Sequence, residues 1–167
     1  MKKIMIIGPG GAGKSTLARE ISKRLGLPVY HLDVYFWKPG WRESSDTEWQ
    51  AIQKQIIKNQ QWIMDGNYEE SIEIRLEACD TVVFLNFSRV LCLYRVYKRY
   101  FQFRGKTRTD INEGCPERVS LPFIQWIWNY PKQSAPEIAQ KLNAVSDKKN
   151  VIILKSPEAV KQFLENL

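Results

Sequence analysis

The stretch Gly8-Pro9-Gly10-Gly11-Ala12-Gly13-Lys14-Ser15-Thr16 constrains this chain more than any other. It matches G-x-x-x-x-G-K-[ST] at every fixed position. The flanks fit as well as the spacing. Ile4 to Ile7 is a short apolar run that reads as a buried strand, and Leu17, Ala18, Ile21 and Leu25 follow at helical spacing. A strand that turns through glycines straight into a helix presents unpaired N–H groups and the positive end of the helix dipole. That combination holds an anion. The pattern assigns the phosphates of a nucleoside triphosphate to Gly8, Gly10, Gly11, Ala12 and Gly13. Lys14 reaches the β- and γ-phosphates, Ser15 takes a place on Mg²⁺, and Thr16 meets the α-phosphate.

Further along, Val29 to Leu32 reads as a second strand ending at Asp33, after Gly26 and Pro28 stop the first helix. Residues 34 to 45 read as an aromatic-rich loop. Ser45-Asp46-Thr47-Glu48 is a capping box for a helix carrying Trp49, Ile52, Ile56 and Ile57. Trp62-Ile63-Met64 is a third strand, closed by Asp65-Gly66-Asn67-Tyr68, and a short helix carries Ile72 and Leu76. Thr81 to Leu85 is a fourth strand. Ser88 caps a long helix expected to place Val90, Leu93, Tyr94, Tyr97 and Phe101 on one apolar face. Arg104 to Pro116 is irregular. Aromatic and apolar helices follow around Phe123–Trp128 and from Ser134. Val151 to Leu154 is a fifth strand, and Ser156-Pro157-Glu158 opens the last helix. Strands alternating with helices predict a parallel sheet covered on both faces, in one domain spanning 1–167.

Composition is that of a globular protein, with no apolar run near the ~20 residues of a membrane span. Ile4–Ile7 is too short for a secretory signal, so the cytoplasm is the expected location. Cys79, Cys92 and Cys115 form no C-x-x-C spacing and read as reduced thiols. His31 reads as a packed or hydrogen-bonded side chain rather than a metal ligand. The net charge of +7 is local. Seven basic residues and no acidic ones lie between Arg89 and Thr109, and the rest of the chain balances. A cluster of this kind suits a polyanion, either a triphosphate or nucleic acid.

A second metal-side group is expected to be a carboxylate at a strand end, where parallel sheets gather ligands. Asp65 is assigned to the magnesium contact. Asp33 is assigned to the acceptor, which it orients or deprotonates.

These segments together resemble the adenylate-kinase-related P-loop proteins known as DNA topology modulation proteins, the FlaR-like group. The marks are Gly8 to Thr16, Leu32-Asp33, Trp37-Lys38-Pro39-Gly40-Trp41 and Trp62 to Tyr68. Arg104 to Arg108 with Asp110, Gly114-Cys115-Pro116-Glu117 and Trp126-Ile127-Trp128 complete them. The resemblance implies an α/β P-loop NTPase fold of nucleoside-monophosphate-kinase type, with a five-stranded parallel sheet in order 2-3-1-4-5. It also implies ATP binding and a mobile arginine-bearing lid, here 104–118. The Phe-Pro-Arg that follows Asp-Gly in adenylate kinases is Asn67-Tyr68-Glu69 here, so an AMP acceptor is not implied.

The expectation is an ATP- and Mg²⁺-dependent kinase of a small-molecule acceptor, nucleotide or other metabolite. Arg104 and Arg108 are assigned to the transferring phosphoryl group, and Arg95 or Arg99 to the nucleotide. Ser156 is placed beside the base. Trp37, Trp41, Asn67 and Arg75, with the segment 34–60, are placed at the acceptor, though the two tryptophans also fit plain packing. The rival reading is a P-loop protein that uses its basic cluster and aromatics on nucleic acid.

Overall fold

The computed structural model describes residues 1–167. Strand β1 (Lys3–Ile7) is central. It pairs in parallel with β5 (Trp62–Asp65) on one side and β6 (Thr81–Leu85) on the other. Beyond these lie β2 (Val29–His31), next to β5, and β7 (Asn150–Leu154), next to β6. The sheet order is therefore β2-β5-β1-β6-β7. Counted along the chain, these five strands are in the expected order 2-3-1-4-5. Two further strands, β3 (Trp37–Lys38) and β4 (Arg42–Glu43), form a separate antiparallel ribbon within what reads in sequence as loop.

Alternation along the strands divides the core. Ile4, Ile6, Ile63, Val83 and Leu85 face one layer, with Leu17, Ala18 and Ile21 of α1 (Lys14–Leu25) and Cys92 and Val96 of α5 (Arg89–Phe103). Met5, Ile7, Trp62, Met64, Val82 and Phe84 face the other. There they meet α3 (Asp46–Ile56), α4 (Ile72–Ala78) and α7 (Ser134–Asn143). Helix α6 (Leu121–Asn129) packs on α5, and α8 (Pro157–Glu165) closes the chain. Hydroxyl caps set the expected helix starts, as Ser45 accepts from the Glu48 N–H and Ser88 from the Leu91 N–H. No helix is long and apolar enough to cross a membrane.

Two local expectations are corrected. The second strand stops at His31, and Leu32–Phe36 forms a short helix, α2, so Asp33 stands in a helical first turn rather than at a strand end. Helix α5 buries Cys92 and Val96, whereas Val90, Tyr94, Tyr97 and Phe101 are exposed. Periodicity reports a face but not which way it points, and here the smaller side chains face the phosphate-loop layer.

The reason lies in how closely the loop approaches α5. Gly11 has φ +80, and a Cβ there would lie 2.3 Å from the Cys92 carbonyl oxygen. Gly8 has φ +145, and its Cβ would lie 2.5 Å from the Leu85 carbonyl oxygen. Both positions demand glycine for backbone conformation and for room. Gly11→Ala is expected to cost at least about 2 kcal/mol from left-handed strain and overpacking. Thermal unfolding checks this, with a fall in Tm of roughly 4–8 °C for a chain of this size.

Candidate active site

The loop between β1 and α1 opens into a cleft of roughly 1490 Å³. Pockets for one small ligand run to about 300–1,000 Å³, so this cleft has room for two. Gly10 to Thr16 line one end. The Lys14 ammonium donates to the carbonyls of Gly8 and Pro9, each at 2.9 Å. Burial lowers its pKa, which Asp33 and Asp65 oppose. The Ser15 hydroxyl donates to Asp65 Oδ2 at 2.7 Å. A hydroxyl and a carboxylate brought together at a helix N-terminus are the hard oxygen donors that suit Mg²⁺.

Asp65 is also engaged from its other oxygen. His31 Nδ1 lies 2.5 Å from Asp65 Oδ1. Burial works against protonation of His31. The Asp65 hydrogen bond and charge, with the charge of Asp110, nevertheless raise its pKa.

The basic cluster divides by helix face. Arg95 and Arg99 line the cleft from α5. Arg95 donates to the Ala12 carbonyl at 3.2 Å, and its guanidinium lies over the Phe87 ring. Arg99 Nε donates to Glu117 at 2.8 Å. Arg108, in the 104–118 excursion, also reaches the cleft. Its Nε donates to the other Glu117 oxygen at 2.5 Å, and its Nη1 to Asp110 at 2.7 Å. Burial opposes its charge, but Asp110 and Glu117 more than offset this and raise its pKa. Asp110 sits within reach of the Ser15 hydroxyl. Burial pushes its carboxyl up, and Arg108 and Ser15 pull it lower overall. Arg104 is different from the expectation, because it is exposed and outside the cleft walls. It bridges along the backbone to Glu117 where the excursion folds back on itself.

The excursion rests on the ribbon. Gly40 N–H donates to the Gly114 carbonyl at 2.9 Å, and Trp41 Nε1–H to the Pro116 carbonyl at 3.1 Å. The Cys115 thiol donates to the Lys38 carbonyl at 3.3 Å. The guanidinium of Arg118 lies 4.3 Å above the centroid of Trp41.

The far end of the cleft is aromatic. Trp37 and Trp41 meet edge to face, and Phe36, Trp49 and Tyr68 pack together beside them. Asp33 sits here, and Oδ1 accepts from the Tyr68 hydroxyl at 2.6 Å. Asn67 lines the cleft but is tied by structure. Its Oδ1 accepts from the Gly8 N–H and the Tyr130 hydroxyl, both at 3.2 Å, and its Nδ2 donates to Glu69. Arg75 is corrected, since it is fully buried behind the wall rather than in the pocket. It donates to the carbonyls of Gly66, Asn67 and Tyr68 at 2.7, 2.7 and 3.0 Å. Burial pushes its pKa down to about 10. Ser156 is engaged by its own helix. Its hydroxyl accepts from the Ala159 N–H and caps α8, while Pro157 and Val160 beside it line the cleft.

The AAA domain family matches residues 4–100, more than half of the chain and the whole run from β1 through most of α5. The chain belongs to this family. It is also 30% identical over 129 residues to the uncharacterized protein YqaC of Bacillus subtilis, covering 75% of this chain and 70% of that protein. A shikimate kinase of Wigglesworthia glossinidia brevipalpis is 32% identical over 76 residues, which is 46% of this chain and 35% of that enzyme. Among solved structures, shikimate kinase from Acinetobacter baumannii superposes with TM-score 0.63 at 15% identity, over 99% of this chain and 90% of that one. A deoxyadenosine kinase from M. mycoides superposes with TM-score 0.51 at 18% identity, over 98% of this chain and 94% of that one. The fold is that of the P-loop kinases.

Sequence reading gave no site role to four groups that the structure places in this cleft, although it read His31 as packed or hydrogen-bonded. Glu117 and Asp110 sit among basic neighbours in an irregular stretch. His31 and Tyr68 have partners 34 and 35 residues away. Tyr68 carries one signal, a positive φ of 37 in a residue that is not glycine, held by the Arg75 hydrogen bond. Burial raises the pKa of Asp33, and the Tyr68 hydrogen bond opposes that rise. Removing the bond destabilises the carboxylate, so Tyr68→Phe raises the Asp33 pKa further. If Asp33 must be ionised for turnover, activity is lost as pH falls through that pKa. The acid limb of kcat/KM is therefore expected to move to higher pH in Tyr68→Phe, and an unmoved limb would remove Asp33 from the reaction.

Proposed function

We propose that this chain is an ATP- and Mg²⁺-dependent kinase that phosphorylates a hydroxyl group of a small molecule. The observation that carries the reading is the continuity of one cleft. It runs from the phosphate loop, past Arg99 and Arg108, to the aromatic end where Asp33 sits. The kinase folds it resembles and the family match support the same reading.

The residues divide the work by position. Gly8 to Gly13 and the N-terminus of α1 receive the triphosphate, and Lys14 neutralises its β,γ end. Ser15 and Asp65 would hold Mg²⁺, which when bound spreads the charge of the phosphate oxygens. Arg95 borders the nucleotide against the loop. Arg108 meets the charge on the transferring group, with Arg99 behind it. Asp33 uses its second oxygen to orient the acceptor hydroxyl and take its proton. The hydroxyl oxygen bonds to the γ-phosphorus as the β–γ bridge breaks and ADP leaves. The excursion 104–118 is the lid over this reaction, and 34–60 is the acceptor side of one domain. Trp37 and Trp41 form the acceptor wall.

A second reading rests on the outward face of α5. Tyr94, Tyr97 and Phe101 are exposed there beside Lys98, with Arg104 and Lys106 just beyond. Aromatics among basic residues suit unpaired nucleic acid, as the resemblance to DNA topology modulation proteins would have it.

Arg108→Ala separates the two. Transition-state charge lost from an arginine costs the rate more than the binding. Acceptor-dependent ADP release is expected to fall on the order of a hundredfold or more, as arginine effects on phosphoryl transfer run. ATP affinity changes far less. Normal turnover in Arg108→Ala, together with a flatter salt dependence of DNA binding in Lys98→Ala on the outward face, would favour the nucleic-acid reading.

Asp65→Asn tests the metal side. Its turnover is expected to fall and to recover partly with added Mg²⁺. Asp33→Asn is expected to stay slow at every Mg²⁺ concentration, and the reverse pattern would exchange the two assignments.

A further inference from the structure

Arg99 and Arg108 come from different elements, α5 and the excursion, yet one side chain holds both. Glu117 Oε1 accepts from Arg99 Nε at 2.8 Å, and Oε2 accepts from Arg108 Nε at 2.5 Å. The carboxylate is all but closed to solvent, with 2% of its side chain exposed. It also stands on a fixed base. The Glu117 N–H donates to the Lys106 carbonyl at 3.0 Å, and the carbonyl of Pro116 just before it accepts from Trp41.

A guanidinium has five N–H donors in a planar fork. Glu117 takes only the Nε donor of each arginine, and Asp110 takes Nη1 of Arg108 at 2.7 Å. Both terminal nitrogens of Arg99 and Nη2 of Arg108 have no protein partner, and none of the three is closed to solvent. Both side chains line the cleft. They also stand where its two ends meet. At Lys14, burial lowers the pKa and the charge of Arg99 adds to that. At Asp33, burial raises the pKa and the charge of Arg108 opposes it. Burial lowers the pKa of Arg99 itself, the charge of Arg108 lowers it further, and Glu117 opposes both. Two like charges are thus kept side by side by one carboxylate.

We infer that Glu117 is a positioning residue, which grips Arg99 and Arg108 by Nε so that their free terminal nitrogens form one receptor for the phosphate that is transferred. This rests on the kinase reading above and adds how its two arginines are aimed. With Nε held, the plane of each guanidinium fixes where its Nη edge points. The third phosphate of ATP meets the pair, and ADP brings nothing to it. Glutamine cannot take the place of Glu117. Its oxygen accepts from one Nε–H, but its NH₂ group faces the other as donor against donor. Lysine in place of Arg108 keeps the charge, but its single nitrogen cannot stay against Glu117 and Asp110 and also reach as far as the Nη edge does.

The test titrates the full chain with MgATP and with MgADP by calorimetry, with no acceptor present. The wild-type chain is expected to bind ATP the more tightly, since only ATP brings a phosphate to the pair. In Glu117→Gln that preference is expected to fall roughly five- to tenfold, near the size of one charge-assisted hydrogen bond, while ADP affinity changes less than about threefold. Adding Glu117→Gln to the double variant Arg99→Ala with Arg108→Ala changes the preference no further, as a group acting only through those arginines requires. Thermal unfolding checks the fold of each variant. Should Glu117→Gln fail to fold, Arg108→Lys decides instead, and the same loss of preference is expected there. A folded Glu117→Gln or Arg108→Lys that keeps the wild-type preference would overturn the inference. So would equal losses of ATP and ADP affinity, which would reduce Glu117 to a fastening of the lid, and so would a wild-type chain that binds ATP no more tightly than ADP. Each of these leaves the kinase reading standing. A wild-type chain that binds neither nucleotide would overturn both.

Discussion

The arrangement of this molecule depends on how closely the phosphate loop passes beneath α5. Backbone meets backbone where Gly11 faces the Cys92 carbonyl, and no side chain fits between them. That approach brings Arg95 and Arg99, one and two turns along the helix, over the loop. Glu117 accepts from Arg99, and through its other oxygen it fixes Arg108. The excursion is thus tied to α5 by a buried carboxylate. A glycine in the loop therefore governs the position of an arginine about a hundred residues later.

How much of this could be read beforehand follows from the range of the interactions. Strand, glycine turn and helix around Ile4–Leu25 are encoded within one window, and so are the hydroxyl caps at Ser45 and Ser88. The order of the five sheet strands followed from the family resemblance. What escaped was long-range or directional. Val90, Tyr94, Tyr97 and Phe101 repeat at helical spacing, as a buried face would, yet they face outward because only the face carrying Cys92 and Val96 lets the loop come near. Arg75 resembles a ligand-binding residue until its three carbonyl partners are seen. Asp33 sits in a helical turn because the extended strand gives out at His31. The ribbon at Trp37–Glu43 has strands of two residues, too short for any periodicity to show.

Charges of both signs line the cleft. Arg95, Arg99 and Arg108 stand near the loop, and Asp65, Asp110 and Glu117 stand among them. The excess of positive charge in the sequence is consequently a poor guide to what the second ligand looks like, since part of it is paired in the cleft and part, at Lys98, Arg104 and Lys106, is on the outer surface.

Three hydrogen bonds join the excursion to the ribbon, Gly40 to Gly114, Trp41 to Pro116 and Cys115 to Lys38. If these two segments cover a kinase site as proposed, the link obliges them to open and close as one piece. Neither ligand could then exchange with solvent while the other stayed fully enclosed. The proposal therefore carries a kinetic consequence, a ternary scheme with both ligands admitted before closure and both products freed by a single opening.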